Sequence, residues 1–565
     1  MKPIFILLAM ATCSAGLAVK TASQPRDQNE KVDKLFARWD KPDSPGCALA
    51  VIKDGQIVYK RGYGMADLER IVPITTTSVF DVGSISKQFT AMSITLLARQ
   101  GKISLDDDIR KYISEIPSYG TPITIRNLIY HTSGIRDYIP LTALMSQESH
   151  YTYAQLIDLL ARQKRLTFKP GDEHLYSNSG YLLLSLIVRK AGGKSLRDFA
   201  DENIFKPLGM NNTRFVDDRT LIVKNRALGY SQREDGSGYA NNISLLGDLV
   251  GDGGVMTTVE DLFLWDQNFY ENKLGAGGKE LIDQVLAPGK LNNGKTLEYA
   301  FGLRIGDYKG LPIIRHGGES DGYVSEIIRF PAQKFSVILL ANTDSMNVAR
   351  LTKQIADIYL ADHFKQDEST AKPPPKFVDL PASELENKMG TYINARNGAV
   401  WRLSAKDGKL IANARGSNFE FSPLSETRFL STQFQVMTRP AQTFLEFNKS
   451  PTDVRWSAML TIGAQEPVTL EPVDLVSPTE AQLAEYVGDY FSEELQTTYK
   501  IRLEADKLVI KDHHVLDQPF KATVKDSFVN GGPSFKFMRD DRGKVSGFNL
   551  NLAMQRIRIH FTKMK

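Results

Sequence analysis

Ten residues, Asp367–Lys376 (DESTAKPPPK), divide this chain into two kinds of sequence. Three consecutive prolines fix φ and remove backbone donors, so the stretch fits neither a helix interior nor a central sheet ladder. Its charged flank offers nothing to bury, and it reads as a stiff linker over 367–377. Before it, apolar runs of helical period alternate with strand-like runs. After it come short alternating strands with turn residues every ~8–12 positions, an all-β pattern. A length of 565 residues fits about three to four domains. Beyond the linker, Leu385–Tyr392 (LENKMGTY) resembles Leu483–Tyr490 (LAEYVGDY), and Lys409-Leu410 and Lys507-Leu508 keep the same offset. The repeat predicts two small antiparallel barrels, 378–475 and 476–565, each closed on itself so that no sheet edge is left bare. The alternative is one large sandwich.

Met1–Ala22 has the form of an export signal: Lys2, the apolar run Ile4–Ala11, then small residues. Export to the periplasm or the exterior is expected, with lipid anchoring through Cys13 as the alternative. No later stretch approaches ~18 uninterrupted apolar residues, so no transmembrane segment is expected after the signal is removed. The only other cysteine is Cys47, so a processed chain has no internal disulfide. The 70 basic and 66 acidic residues are interspersed, without a basic block or a zinc-finger spacing, and nucleic acid is not an expected partner. No metal-ligand spacing is found among the scattered histidines.

Within 30–366 the expected elements begin with a helix around Val32, Leu35 and Phe36. A hairpin follows, CALAVIK and QIVYKRGYG, turning at Asp54-Gly55. Helices are expected at Phe80–Gly101, Leu105–Ile116, Ile123–Ile135, Tyr153–Arg162, Tyr181–Ala191, after Thr258, and at Met346–Leu360. A second hairpin, GYVSEIIRF and KFSVILLAN, lies near the end. Strands at both ends with helices between predict an α+β unit whose antiparallel sheet, flanked by helices, is assembled from distant sequence.

Three clusters carry chemistry. Ser84 and Lys87 stand three apart at the head of an apolar helical run, so hydroxyl and amine share one face about a turn apart. A deprotonated amine there is a base for the hydroxyl. Gly83 clears the turn where a substrate approaches. Tyr176 and Asn178 flank a loop before a buried helix; the phenol can relay a proton and the amide can hold an amine or a carbonyl. His316-Gly317-Gly318 precedes a strand, where glycines let a substrate backbone align with a sheet edge. Each has a plain alternative in isolation: a chance pair, a packed loop tyrosine with a capping asparagine, a surface histidine beside a turn.

Taken in this order, S-x-x-K, Y-x-N and H-x-G resemble the serine β-lactamase and penicillin-binding-protein superfamily. SKQFT, LIYHTSGI, KPLGMNNT (Lys206–Thr213), GDGGVMTT and FGLR (Phe301–Arg304) also match it, so the resemblance spans Lys31–Phe364. The His-Gly-Gly motif, the trailing barrels (lipocalin-like in this comparison) and FKFMRDDRGKVSGFNL are most similar to the D-aminopeptidase branch. The resemblance implies acyl transfer with no metal or organic cofactor. Ser84 would attack a carbonyl and Lys87 accept its proton. Tyr176 would carry a proton to the leaving group, and Asn178 would position Lys87 and the substrate. His316 and Gly318 would line the substrate strand, and the backbone N–H groups of Ser84 and Glu319 would form the oxyanion hole.

The chain departs from the superfamily where a lysine usually grips a substrate carboxylate. An exposed histidine with a pKa near ~6.5 is mostly neutral at pH 7. This disfavours efficient β-lactam hydrolysis and favours substrates with a free amine beside the scissile bond, or neutral amides and esters. In the D-aminopeptidase branch a loop of the last barrel enters the cleft; its counterpart here, Phe528–Phe535, is short and lacks an acid. The expectation is an exported serine hydrolase of small peptides, amides or esters, D-aminopeptidase-like. A weak β-lactamase or carboxypeptidase, or an esterase, is the alternative enzyme, and a non-catalytic ligand-binding protein the alternative to an enzyme.

Overall fold

The computed structural model describes residues 26–565 apart from 146–149, 243–247, 365–374 and short stretches of the C-terminal units (397, 415–416, 437–438, 450–453, 464–466, 512, 514–515, 517, 553–554). The expected export signal, with Cys13, and most of the linker lie outside the described residues.

The sheet of the first unit is built from both ends of its sequence. Its strands are β1 (Cys47–Lys53), β2 (Gln56–Tyr63), β3 (Arg304–Tyr308), β4 (Leu311–Ser320), β5 (Tyr323–Phe330) and β6 (Phe335–Ala341). They lie in the order β3-β4-β5-β6-β1-β2, antiparallel throughout. β1 pairs with β6 from Cys47↔Ala341 to Lys53↔Phe335. Both strands are continuous apolar runs because helices cover both faces. Ala48, Ala50, Ile52, Ile338 and Leu340 face the larger layer, containing α2 (Ser86–Arg99) and α3 (Asn178–Gly192). Cys47, Leu49, Val51, Val337 and Leu339 face α1 (Arg26–Phe36) and, near the end of the unit, Val348–Tyr359. α2 is buried all round, and its Ser93 and Thr95 hydroxyls donate to the carbonyls of Phe89 and Ala91 four residues back.

Two expected helices are shorter than their patterns. Leu105–Ile116 holds one 3₁₀ turn, Ile109–Lys111. Asp107 accepts from the Ser104 N–H and Asp108 from the Arg110 N–H, and such local side-chain bonds compete with helix. Ile123–Ile135 is helical only over Ile125–Ile129, under a Thr124/Asn127 capping box, because His131 turns to φ +57°. α3 starts three residues earlier than expected, which places Asn178 in its first turn.

The first C-terminal unit is a closed eight-stranded barrel running from Gly390–Asn394 to Val468–Pro472, its first and last strands paired at Tyr392↔Pro472. The second is an eight-stranded half-barrel in which Lys507–Lys511 and Lys521–Ala522 are the edges, with the Phe520 N–H donating to the Leu508 carbonyl between them. The repeated segments do the same job in both. Each begins in the last residues of a short helix, and Tyr392 and Tyr490 donate to the carbonyl four residues back, at Lys388 and Tyr486. The barrel has its own core, whereas the half-barrel's core is continuous with the α2/α3 layer.

Candidate active site

Ser84 lies in a 3₁₀ turn, Gly83–Ile85, that leads into α2. The turn is pressed against the end of β4. Gly83 has φ +49°, and a Cβ there would stand 2.6 Å from the Glu319 carbonyl oxygen. Gly318 is as tightly held: a Cβ would lie 1.9 Å from the Val82 carbonyl oxygen, to which Ser325 also donates at 2.9 Å. Both glycines are therefore required by the close approach of turn and strand. Asp81, half-buried beneath the turn, accepts from the Gly83 N–H (2.8 Å) and from the Ser320 hydroxyl (3.1 Å), tying the two elements together. Burial raises its carboxyl above the usual range.

Lys87 is fully buried, with Nζ 3.0 Å from Ser84 Oγ. It donates to Asn178 Oδ1 (2.9 Å) and to the Asp252 carbonyl (2.7 Å). These last two are acceptors only, so in its neutral form the amine would spend its two N–H groups on them and turn its lone pair to the Ser84 hydroxyl. The Asn178 amide is oriented by Asp137, whose Oδ2 accepts from both the Asn178 N–H (2.8 Å) and Nδ2 (3.1 Å). Burial lifts the Asp137 carboxyl to about 6, against the lowering effect of the N–H groups of Asn178 and Ile139. Tyr138 donates to Asp252 Oδ2 at 2.9 Å, which steadies the loop that supplies the second acceptor. Tyr176 covers Lys87, its ring centroid 4.9 Å from Nζ.

Ser84, Tyr176, His316, Gly318 and Glu319 border one cleft of about 1170 Å³. Ser84, Lys87 and Asn178 form one hydrogen-bonded group, and Tyr176, His316, Gly318 and Glu319 surround its mouth. The expectation of an exposed histidine is corrected. His316 is 2 % exposed, and burial, reinforced by Arg304 and Lys87, holds its pKa well below the usual value. Its Nδ1–H donates to the Gly317 carbonyl at 2.6 Å, which leaves Nε2 to accept from Tyr299 at 3.2 Å. The ring is neutral and occupied, and it cannot serve as a counter-charge.

Sequence reasoning passed over a second ring of groups. His131 Nδ1 accepts from the Ser177 N–H at 3.2 Å, and its ring lies 4.3 Å from that of Tyr176. Burial keeps it well below its ordinary pKa, while His174, also on the cleft wall, is pushed down to about 4, chiefly by burial. Arg304 reaches the same wall, 5.6 Å from the Tyr176 ring and 5.7 Å from the Tyr299 ring. It forms no ion pair among the described residues. Asp137, Asp252 and Arg304 each sit in or just after a matching stretch, LIYHTSGI, GDGGVMTT and FGLR, which was the available signal. No residue of Phe528–Phe535, the short stretch in the last unit, lines the cleft: Phe528 and Phe535 are buried in the core that the half-barrel shares with the α2/α3 layer, and it is the first barrel that walls the cleft, through Gln442, Phe444 and Gly463.

The family model described as Beta-lactamase matches residues 32–360. A penicillin-binding protein of Bacillus subtilis is 30% identical over 70% of this chain and 90% of its own length. A D-aminopeptidase of Gluconobacter oxydans is 26% identical over 67% of this chain and 68% of its own length. Among solved structures, the octameric penicillin-binding protein homologue from Pyrococcus abyssi shares the fold with a TM-score of 0.54 at 22% identity, over 79% of this chain and 99% of that one. A buried lysine set between a serine hydroxyl and an asparagine amide, on a helix packed against a sheet assembled from both ends of the unit, thus has its explanation in descent: the chain belongs to the β-lactamase family of serine hydrolases.

Proposed function

We propose that this chain is an exported hydrolase that acts through an acyl-enzyme on small peptides, amides or esters, with D-configured residues next to the scissile bond. The observation that carries the chemistry is the Lys87 amine, held by Asn178 and Asp252 with its remaining direction toward Ser84 Oγ. In the forward step the Ser84 proton passes to Lys87 Nζ as Oγ bonds to the substrate carbonyl carbon. The oxyanion forms beside the Ser84 and Glu319 N–H groups, which the close packing of Gly83 on Glu319 brings together. Each such donor typically lowers the barrier by ~3–4 kcal/mol. Tyr176 carries that proton from Lys87 Nζ to the leaving nitrogen or oxygen as its bond to carbon breaks, which returns the amine to neutral. Water, deprotonated by the same amine, then adds to the acyl carbon, and the proton returns to Ser84 Oγ as the Oγ–carbon bond breaks and the acid leaves. The D-residue reading is supported by likeness to the Gluconobacter D-aminopeptidase and by the neutral His316. Export is proposed on the Met1–Ala22 signal, and amino-terminal sequencing of the mature protein tests it.

Turnover of D-alanine p-nitroanilide, its L-enantiomer, a penicillin and a p-nitrophenyl ester by the wild type and Ser84→Ala tests the reading. Faster cleavage of the D-anilide, abolished in the variant, is expected. Failure on all four by folded protein would refute it. Arg304 favours the second reading, a carboxypeptidase or weak β-lactamase. A guanidinium on the Tyr176 wall without a carboxylate partner among the described residues can grip a substrate carboxylate that His316 cannot. Stable labelling of Ser84 by a fluorescent penicillin would favour it.

A further inference from the structure

The half-barrel touches the catalytic group through the loop that ends at Asp137. Arg136 is buried (side chain 2 % exposed), and its Nη1 donates to Glu494 Oε1 and to Gln163 Oε1, both at 2.7 Å. Its Nη2 donates to the Arg558 carbonyl at 3.0 Å, so the half-barrel supplies two of its three acceptors. Glu494 Oε1 also accepts from the Lys164 N–H at 3.1 Å, and the Glu494 carbonyl from Gln163 Nε2 at 3.2 Å. On the other side of the loop, the Arg136 carbonyl accepts from Ser179 in the first turn of α3 (2.9 Å), and Asp137 orients Asn178 beside it. A second tether lies at the far end of the adjoining helix, Tyr138–Ala143. Tyr499 of the half-barrel donates to the Leu144 carbonyl at 2.8 Å, and Tyr138 at the helix start holds Asp252. Both acceptors of Lys87 therefore lead back to the half-barrel, one through Arg136 and Asp137 and the other through Tyr138.

We propose that Glu494 is a positioning residue for Lys87, acting through Arg136, Asp137 and Asn178, and that the half-barrel serves to hold the base in place. The first barrel borders the cleft from outside; the half-barrel fixes the base from within the core. A merely adhesive interface would not need a buried, multiply bonded ion pair one residue from the carboxylate that sets the Asn178 amide. The interface also has ordinary adhesive contacts, such as the exposed Lys164–Glu493 pair at 2.5 Å.

The inference rests on Ser84 and Lys87 acting as proposed above, and its test separates the two. The full chain is labelled with a fluorophosphonate probe, and the second-order rate at Ser84 is measured below the melting transition of each variant. Glu494→Ala is expected to label at least tenfold more slowly. Glu494→Gln, which keeps the Oε1 acceptor, should stay within threefold of wild type, and Glu493→Ala within twofold. In an Asn178→Ala background, Glu494→Ala should change the rate less than twofold, because residues acting through one another are not additive. A crystal structure of Glu494→Ala is the readout independent of activity, and Asn178 Oδ1 should leave hydrogen-bond distance of Lys87 Nζ. Labelling of Glu494→Ala at the wild-type rate, an undiminished effect in the Asn178→Ala background, or an unmoved Asn178–Lys87 contact in the crystal would each overturn the inference. Absence of labelling in the wild type would instead count against the acyl-enzyme reading, and the crystal would still decide this one.

Discussion

Substituting Gly318 with alanine tests whether the proposed oxyanion hole depends on the contact between β4 and the serine turn. The new Cβ would lie 1.9 Å from the Val82 carbonyl oxygen, where real contacts do not fall below 3.0 Å. Relief therefore needs at least about 1.1 Å of separation, and both partners are backbone, so turn and strand must part. A donor hydrogen bond of ordinary length stretched by that amount is lost. Loss of one oxyanion donor costs about 3–4 kcal/mol, a factor of ~10²–10³ in acylation. The assay is the burst rate with a p-nitrophenyl ester, at a temperature where circular dichroism shows the variant folded. Gly120→Ala is the control: with φ +79° and nothing within 4 Å, it strains the backbone without touching the site. It should lower the melting temperature by a few degrees and leave the burst unchanged. A burst within threefold of wild type for Gly318→Ala would show that the contact does not set the hole.

Other outcomes follow from the same geometry. Because burial lifts Asp137 to about 6, its ionisation is resisted by the fold; stability contributed by the protonated form is full below the ordinary value of 3.8 and is lost as pH rises through about 6, on the order of 3 kcal/mol in all. The carboxylate is nevertheless the form that accepts both Asn178 N–H groups, so kcat/KM should fall as pH drops through about 6, and Asp137→Asn should remove that limb and remain slow at every pH. Lys87→Met should lower acylation at least 10³-fold while raising thermal stability or leaving it unchanged, because it removes a buried amine. Arg304→Met should raise KM tenfold or more for a substrate with a free carboxylate and leave a neutral anilide unaffected, as steady-state kinetics would show. Phe89→Ala empties a fully buried site between Phe205 and Trp265 and should cost about 3–5 kcal/mol in urea denaturation.

What could be read from sequence was what local geometry decides. Ser84 and Lys87 meet because they are three apart on one turn, and Tyr176 and Asn178 because a loop enters a helix. CALAVIK and KFSVILLAN were legible as hairpin strands, and their unbroken apolar runs fit the central places they take, where both faces are covered. Burial of a polar side chain was not legible. Nothing in RHGG tells that Tyr299 and the Gly317 carbonyl close over His316, since those partners are set by tertiary packing. His131 was missed for the same reason, and its φ of +57° is what ends the helix that periodicity extended to Ile135. Leu105–Ile116 has helical spacing, yet aspartates bound to nearby N–H groups outcompete it. Two all-β units followed from alternation and repeat, but the expected closure of both is corrected, since only the first closes and the second ends in the edge strands Lys507–Lys511 and Lys521–Ala522. Which unit would face the cleft depends on docking between units, for which no single stretch carries a signal.

Cys47 begins β1, the strand that stitches the two ends of the first unit's sheet together, and it is wholly enclosed there. Burial, aided by the charge of Asp40, raises its thiol well above the ordinary range, so the reactive thiolate is suppressed as well as shielded. A thiol reagent can reach it only when β1 separates from α1 or from its neighbouring strands. This sulfur is a built-in clock for the opening of the sheet: its alkylation half-life times the event in which the amino-terminal hairpin lets go, with no label added and no residue changed.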